Sequence, residues 1–167
     1  AWSGSAGDWG SPASAYQPPL WTPTPTIGPL PKLYISEFLA DPKAVSDSDG
    51  EWIELYNASD QPVNLNGWRI ADRGTDQHTI NTDLIMPPGG YIVIGRNADF
   101  SSNGGVEVLY VYTKFSMSND TDEILLLAPD GREVDRVEWG ETLKPKAGIS
   151  YERSTFDSSG QWLLAWQ

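Results

Sequence analysis

Residues 33–57 read LYISEFLADPKAVSDSDGEWIELYN, and this stretch decides the fold. Its first part, residues 33–38, mixes apolar and aromatic side chains with Ser36 and Glu37. Its last part, residues 51–57, sets Ile53 and Leu55 on one side and Trp52, Glu54 and Tyr56 on the other. A period of two along a short segment is the mark of a half-buried strand. Between them Asp47, Asp49 and Glu51 alternate around Gly50. An Asp-Gly pair reads as a turn, because glycine accepts positive φ and aspartate bonds its own backbone. Two strands around an acidic loop is the local expectation.

The same pattern continues outward. Strands are expected over residues 33–38, 51–57, 67–72, 77–80, 91–95, 107–112, 124–128, 133–139 and 149–153. Turn signals separate them: Asn66-Gly67, Pro87-Pro88-Gly89-Gly90, Asn103-Gly104-Gly105 and Asp130-Gly131. Asp130-Gly131, between two apolar runs, is the clearest hairpin. No capped stretch carries a helical period. About 8–10 short, mostly antiparallel strands at this spacing point to an all-β sandwich or barrel. The expected core is Ile35, Ile53, Leu55, Leu65, Trp68, Ile70, Leu84, Ile92, Ile94, Val108, Ile124, Leu126, Val134 and Val137, with Trp68 as its central aromatic.

Five segments carry a resemblance. They are ISEFLADP (35–42), DSDGEWIELYN (47–57), PVNLNGWRIAD (62–72), PPGGYIVIGRN (87–97) and FSMSNDTDEILLLAPDGREVDRVEWG (115–140). In this order they resemble the lamin tail domain, over roughly residues 32–153, and look closer to its bacterial than to its animal members. The resemblance implies an immunoglobulin-like β-sandwich and a binding or attachment role. It carries over no binding motif residue by residue. Animal members bind proteins and DNA, but the formal charge here is -12, with a sequence pI near 4.3. Such a surface repels phosphate backbones and argues against nucleic acid as a partner.

Composition narrows the rest. The 167 residues give room for one domain with a real core. There is no cysteine, which removes disulfides, thiol nucleophiles and cysteine metal sites. No apolar run approaches the roughly 20 residues of a membrane span, and residues 1–10 lack the charged start and apolar middle of a signal peptide. The expected layout has three parts. Residues 1–16 are a tail piece, residues 17–31 (QPPLWTPTPTIGPLP) a Pro/Thr-rich linker, and residues 32–167 the sandwich. Residues 7–12 (GDWGSP) resemble the Gly/Pro-containing tail that closes many lamin tail domains, and Ala1-Trp2 echoes Ala165-Trp166, which suggests that residues 1–16 close a preceding copy in a tandem array. Pro/Thr linkers suit modules of extracellular or cell-surface proteins.

Chemistry has few parts to work with. His78 is the single histidine, and no Gly-x-Ser-x-Gly elbow accompanies it. Nothing selects a catalytic carboxylate pair, so the expectation is a non-catalytic module. Glu37, Asp41, Asp47, Asp49 and Glu51 fall in and around one loop, and Ca²⁺ takes six to eight such oxygens. These five are the candidate Ca²⁺ ligands, against the plainer reading of a solvated acidic turn. Residues 119–123 (NDTDE) read as a turn with capping side chains. Among eight tryptophans and seven tyrosines, Trp52 and Tyr56 share a strand face and are the candidate ligand-binding residues. Tyr110 and Tyr112 would extend that aromatic surface unless a terminal segment covers it. The expected partner is a protein, a neighbouring copy or a surface polysaccharide. The alternative is a carbohydrate-binding module using exposed Trp and Tyr.

Overall fold

A computed structural model describes residues 28–156 and 161–164. The expectations placed on residues 1–16, on most of the linker and on Trp166 lie outside the described residues. The strands are β1 (Leu33–Leu39), β2 (Trp52–Asn57), β3 (Val63–Asn64), β4 (Arg69–Ala71), β5 (Gln77–Thr79), β6 (Ile85–Met86), β7 (Tyr91–Gly95), β8 (Tyr110–Val111), β9 (Asp122–Leu127), β10 (Glu133–Trp139), β11 (Tyr151–Arg153) and β12 (Trp162–Leu164). One sheet runs β12-β11-β1-β2-β7-β8, a second runs β10-β9-β4-β5, and β3 and β6 form a ribbon. Every pairing is antiparallel except β7 with β8.

Two-residue periodicity builds this arrangement. In β2 the residues Ile53, Leu55 and Asn57 are buried, while Trp52, Glu54 and Tyr56 are half-exposed. The inward set meets Ile70 of β4 and Ile124 and Leu126 of β9 in one core. Of the expected core, Leu84, Val108 and Val134 are only half-buried, at the margin of the packing. The aromatic centre is also elsewhere. Trp68 is buried, but Phe38 holds the cluster, with ring centroids 4.9 Å from Trp139, 5.8 Å from Tyr151 and 5.3 Å from Trp162. Phe38 was legible as apolar; the three strands that converge on it were not.

Other differences are local. Residues 107–112 give a strand only at Tyr110–Val111, and Tyr112 turns fully into the core. It therefore adds nothing to an aromatic surface. Asp47–Gly50 forms a single helical turn, α1, in place of a simple turn. Glycine is required there by space: a Cβ on Gly50 would stand 2.5 Å from Val45 Cγ2. The β9–β10 hairpin forms as its turn signal indicates, with Gly131 at φ +87°. Gly131→Ala is expected to cost about 1–2 kcal/mol, the penalty of a side chain in left-handed backbone. Urea unfolding monitored by Trp fluorescence reads it.

Two side-chain clasps fasten the sheets to each other. Towards the β10 side the chain of β1 is irregular between Ile35 and Glu37, and β11 pairs only with Glu37 and Phe38. The Ile35 N–H instead donates to Asp135 Oδ2 at 2.8 Å, and the Arg153 Nε–H donates to the Ile35 carbonyl at 3.1 Å. Arg153 Nη2 closes the triangle on both Asp135 oxygens, at 2.9 and 2.8 Å. A buried β-strand needs its backbone groups satisfied, and here an ion pair bridging the two sheets does so. On the opposite edge, His78 Nδ1 accepts the Thr113 N–H at 3.3 Å, and its Nε2 lies 2.9 Å from the Tyr110 hydroxyl. The proton therefore sits on Nε2 and joins β5 to β8. Burial, and then the nearby Lys114 charge, lower the pKa of His78 below 6.5. An NMR titration of the imidazole is expected to have its midpoint below 6.5, with the neutral ring retained in mildly acid buffer.

Candidate binding face

The outward side of the six-stranded sheet carries ordered rows of side chains, set by strand register. Tyr34 lies opposite Tyr56, and Tyr56 opposite Tyr91, so three tyrosines form one row across β1, β2 and β7. Phe156 joins them, 5.6 Å from Tyr34 and 4.4 Å from Tyr56, while Tyr56 stacks on Tyr91 at 4.5 Å. The next row is acidic: Glu152 faces Glu37, which faces Glu54, which faces Val93. A third row places Trp52 between Leu39 and Gly95.

Like charges directly opposite on a sheet oppose pairing. Serine hydroxyls offset part of this. Ser150 Oγ donates to Glu37 Oε1 at 2.6 Å, and Ser36 Oγ to Glu54 Oε1 at 2.7 Å. Burial holds the Glu37 carboxyl above its usual range, with Glu54 and Glu152 adding to the rise and Ser150 opposing it. Among the described residues no cation pairs with Glu37, Glu54 or Glu152.

The two aromatic candidates sit on this face but offer little open ring. Tyr56 stacks against both Tyr91 and Phe156. Trp52 is half-buried, with an indole N–H enclosed and unpartnered among the described residues. The open ring is Tyr91, 51% exposed. The sequence pattern marked Tyr91 as the start of a strand but could not say that β7 would lie beside β2. Phe156 was missed because it belongs to no strand.

The five carboxylates proposed for Ca²⁺ are not gathered into a cage, and among the described residues no three Asp, Glu or His side chains group to hold a metal ion. Glu37 belongs to the outer acidic row. Asp49 takes the Ser46 hydroxyl at 2.7 Å. Asp41 and Asp47 both accept from the Asn119 side-chain amide, at 3.5 and 3.0 Å. Glu51 lies inside, 2% exposed, and accepts from Arg96 Nη1 at 3.1 Å and the Met117 N–H at 3.2 Å. Asp41 and Asp47 thus meet at Asn119, while Glu37, Asp49 and Glu51 are engaged by other partners. In residues 119–123, each acid also has its own task. Asp120 pairs with Lys144, Asp122 accepts the Ser118 N–H, and Glu123 faces Arg73. His78 is committed on both ring nitrogens to the clasp already described.

Two facing sheets of short strands, tied by two side-chain clasps and closed over one apolar interior, define an immunoglobulin-like β-sandwich module. The chain belongs to the lamin tail domain family, whose model, described as Lamin Tail Domain, matches residues 28–141. That family is one of immunoglobulin-like binding or attachment modules and is generally non-catalytic. Strands β11 and β12 fall beyond the matched segment, yet β11 pairs with β1 and carries the Arg153 half of the clasp. Comparison with curated proteins finds no match. Among the described residues no helix is long and apolar enough to cross a membrane.

Proposed function

We propose that this chain is a non-catalytic attachment module of a bacterial secreted or cell-surface multidomain protein. It presents the outer face of the six-stranded sheet to a partner protein. The observation that carries this reading is the tyrosine row, which ends in a ring left half open to solvent. Aromatic side chains with an apolar body and a polar tip are the usual anchors of binding surfaces. The Pro/Thr-rich run ahead of the sandwich suits a spacer between modules, and the Ala-Trp echo suits copies in tandem.

The test is retention. The full chain fused to a secreted fluorescent reporter is expected to stay on the outside of cells of the source organism. Changing Tyr91 to Ala is expected to release it to the medium. Equal retention of the variant, or no retention of the parent fusion, overturns the reading. A second reading is carbohydrate binding. One observation favours it: the open face of Tyr91 is the kind of surface on which a sugar ring stacks. Trp52 and Tyr56, half-buried or stacked on both sides, would then support the platform and not form it.

A further inference from the structure

The tyrosine row runs into a groove. Beyond Tyr91 the chain of residues 106–109 returns alongside β7, with the Leu109 N–H donating to the Val93 carbonyl at 2.8 Å. Between them lies a groove of about 430 Å³, lined by Tyr91, Val93, Val106, Leu109, Glu54 and Glu107. Leu109 is 63% exposed and Tyr91 51%, the former being the most exposed large apolar side chain among the described residues. An apolar floor open to water is unfavourable unless something covers it. Among the described residues, the only charged side chains on its walls are the carboxylates of Glu54 and Glu107, and the acidic row Glu152–Glu37–Glu54 continues outward from it.

We propose that this groove receives a Lys- or Arg-bearing segment of a partner protein. The proposal rests on the attachment reading above and names the class of partner. The argument is complementarity of shape and charge together. A Lys or Arg stem covers apolar surface while its head stays polar. Laid along Val93, Val106 and Leu109, such a stem brings its cation to Glu54 and Glu107. A guanidinium fits carboxylates in pairs and also stacks on an aromatic face, which Tyr91 supplies. An acidic peptide or a phosphate-bearing polymer meets repulsion from the same carboxylates. A neutral glycan could use the ring but leaves the acidic row without a counterpart.

The test uses the full chain and a fluorescein-labelled nonapeptide of alternating Arg and Gly, with a Glu/Gly peptide as control, at about 0.15 M salt. Saturable binding of the Arg peptide is expected, with amide shifts confined to β7, residues 106–109 and β2. Tyr91→Ala and Leu109→Ser are each expected to weaken it about tenfold or more. Glu107→Gln is expected to weaken it several-fold, while Glu141→Gln, an equal charge change elsewhere, leaves it within about twofold. Equal effects of the two Glu changes would mean diffuse attraction to an acidic protein and would overturn the groove. So would absence of Arg-peptide binding. Groove shifts with cellohexaose and none with the peptide would hand the site to a glycan. If Tyr91→Ala still releases the reporter fusion while the Arg peptide fails, attachment stands and the basic partner falls.

Discussion

Phe38→Ala is expected to lower the unfolding free energy by about 3–5 kcal/mol, the range for removing a large buried aromatic. Domains of this kind have only about 5–15 kcal/mol in total, so the loss approaches half of it. Phe38 is wholly buried, and its ring meets Trp139 of β10, Tyr151 of β11 and Trp162 of β12. It therefore joins the middle of one sheet to its own edge and to the facing sheet. Two of the three neighbouring rings are held in place by hydrogen bonds, which limits their movement into the space. The Trp139 indole N–H donates to the Ser118 carbonyl at 2.7 Å, and the Tyr151 hydroxyl donates to the Lys144 carbonyl at 2.5 Å. Phe38→Leu, which keeps most of the volume, is expected to cost about 1–2 kcal/mol. Urea denaturation would show the alanine midpoint falling with an unchanged slope. A loss below about 1 kcal/mol would mean that the cluster is not what holds β11 and β12 on the sandwich.

This cluster also shows where sequence reading reaches its limit. The alternation in residues 51–57 gave β2 and its buried face correctly, because strand periodicity is local. The Asp130-Gly131 turn gave the β9–β10 hairpin for the same reason. Pairings between distant segments are another matter. Phe38 and Trp139 stand 101 positions apart, and nothing in either neighbourhood names the other. The two-residue strands β3 and β6 are too short to carry a pattern. The binding face divides in the same way. Tyr56 and its exposed side were legible, while the Tyr34–Tyr56–Tyr91 row is a product of register across three strands. In the acidic loop, neighbours along the chain take different partners: Asp47 meets Asn119 and Glu51 meets Arg96. Glu51 follows the helical turn and points inward, away from Asp49.

That inward carboxylate gives the second large effect, one that depends on pH. Burial pushes the Glu51 pKa up to about 7; the Met117 N–H and Arg96 oppose the rise, and Asp47 adds to it. In the unfolded chain it titrates near 4.5. The folded state thus holds the proton more tightly, so the stabilising contribution is complete below pH 4.5. It is lost as pH rises from 4.5 through about 7 and is gone above that. The size is about 3 kcal/mol between the two ends. Glu51→Gln keeps an acceptor for the Met117 N–H and carries no charge to bury. It is expected to match or exceed the parent above pH 7 and to flatten the slope between pH 4.5 and 7. Arg96→Met is expected to act in the opposite sense. It strips the buried carboxylate of its cation, 3.1 Å away, and costs about 3–5 kcal/mol at pH 8. At pH 5, where Glu51 is protonated in the folded state, most of that cost disappears. Thermal or urea unfolding of the three proteins across pH 4–8 separates these outcomes. A Glu51→Gln profile with the same slope as the parent from pH 4.5 to 7, or an Arg96→Met penalty equal at pH 5 and pH 8, would show that Glu51 remains ionised inside the sandwich throughout.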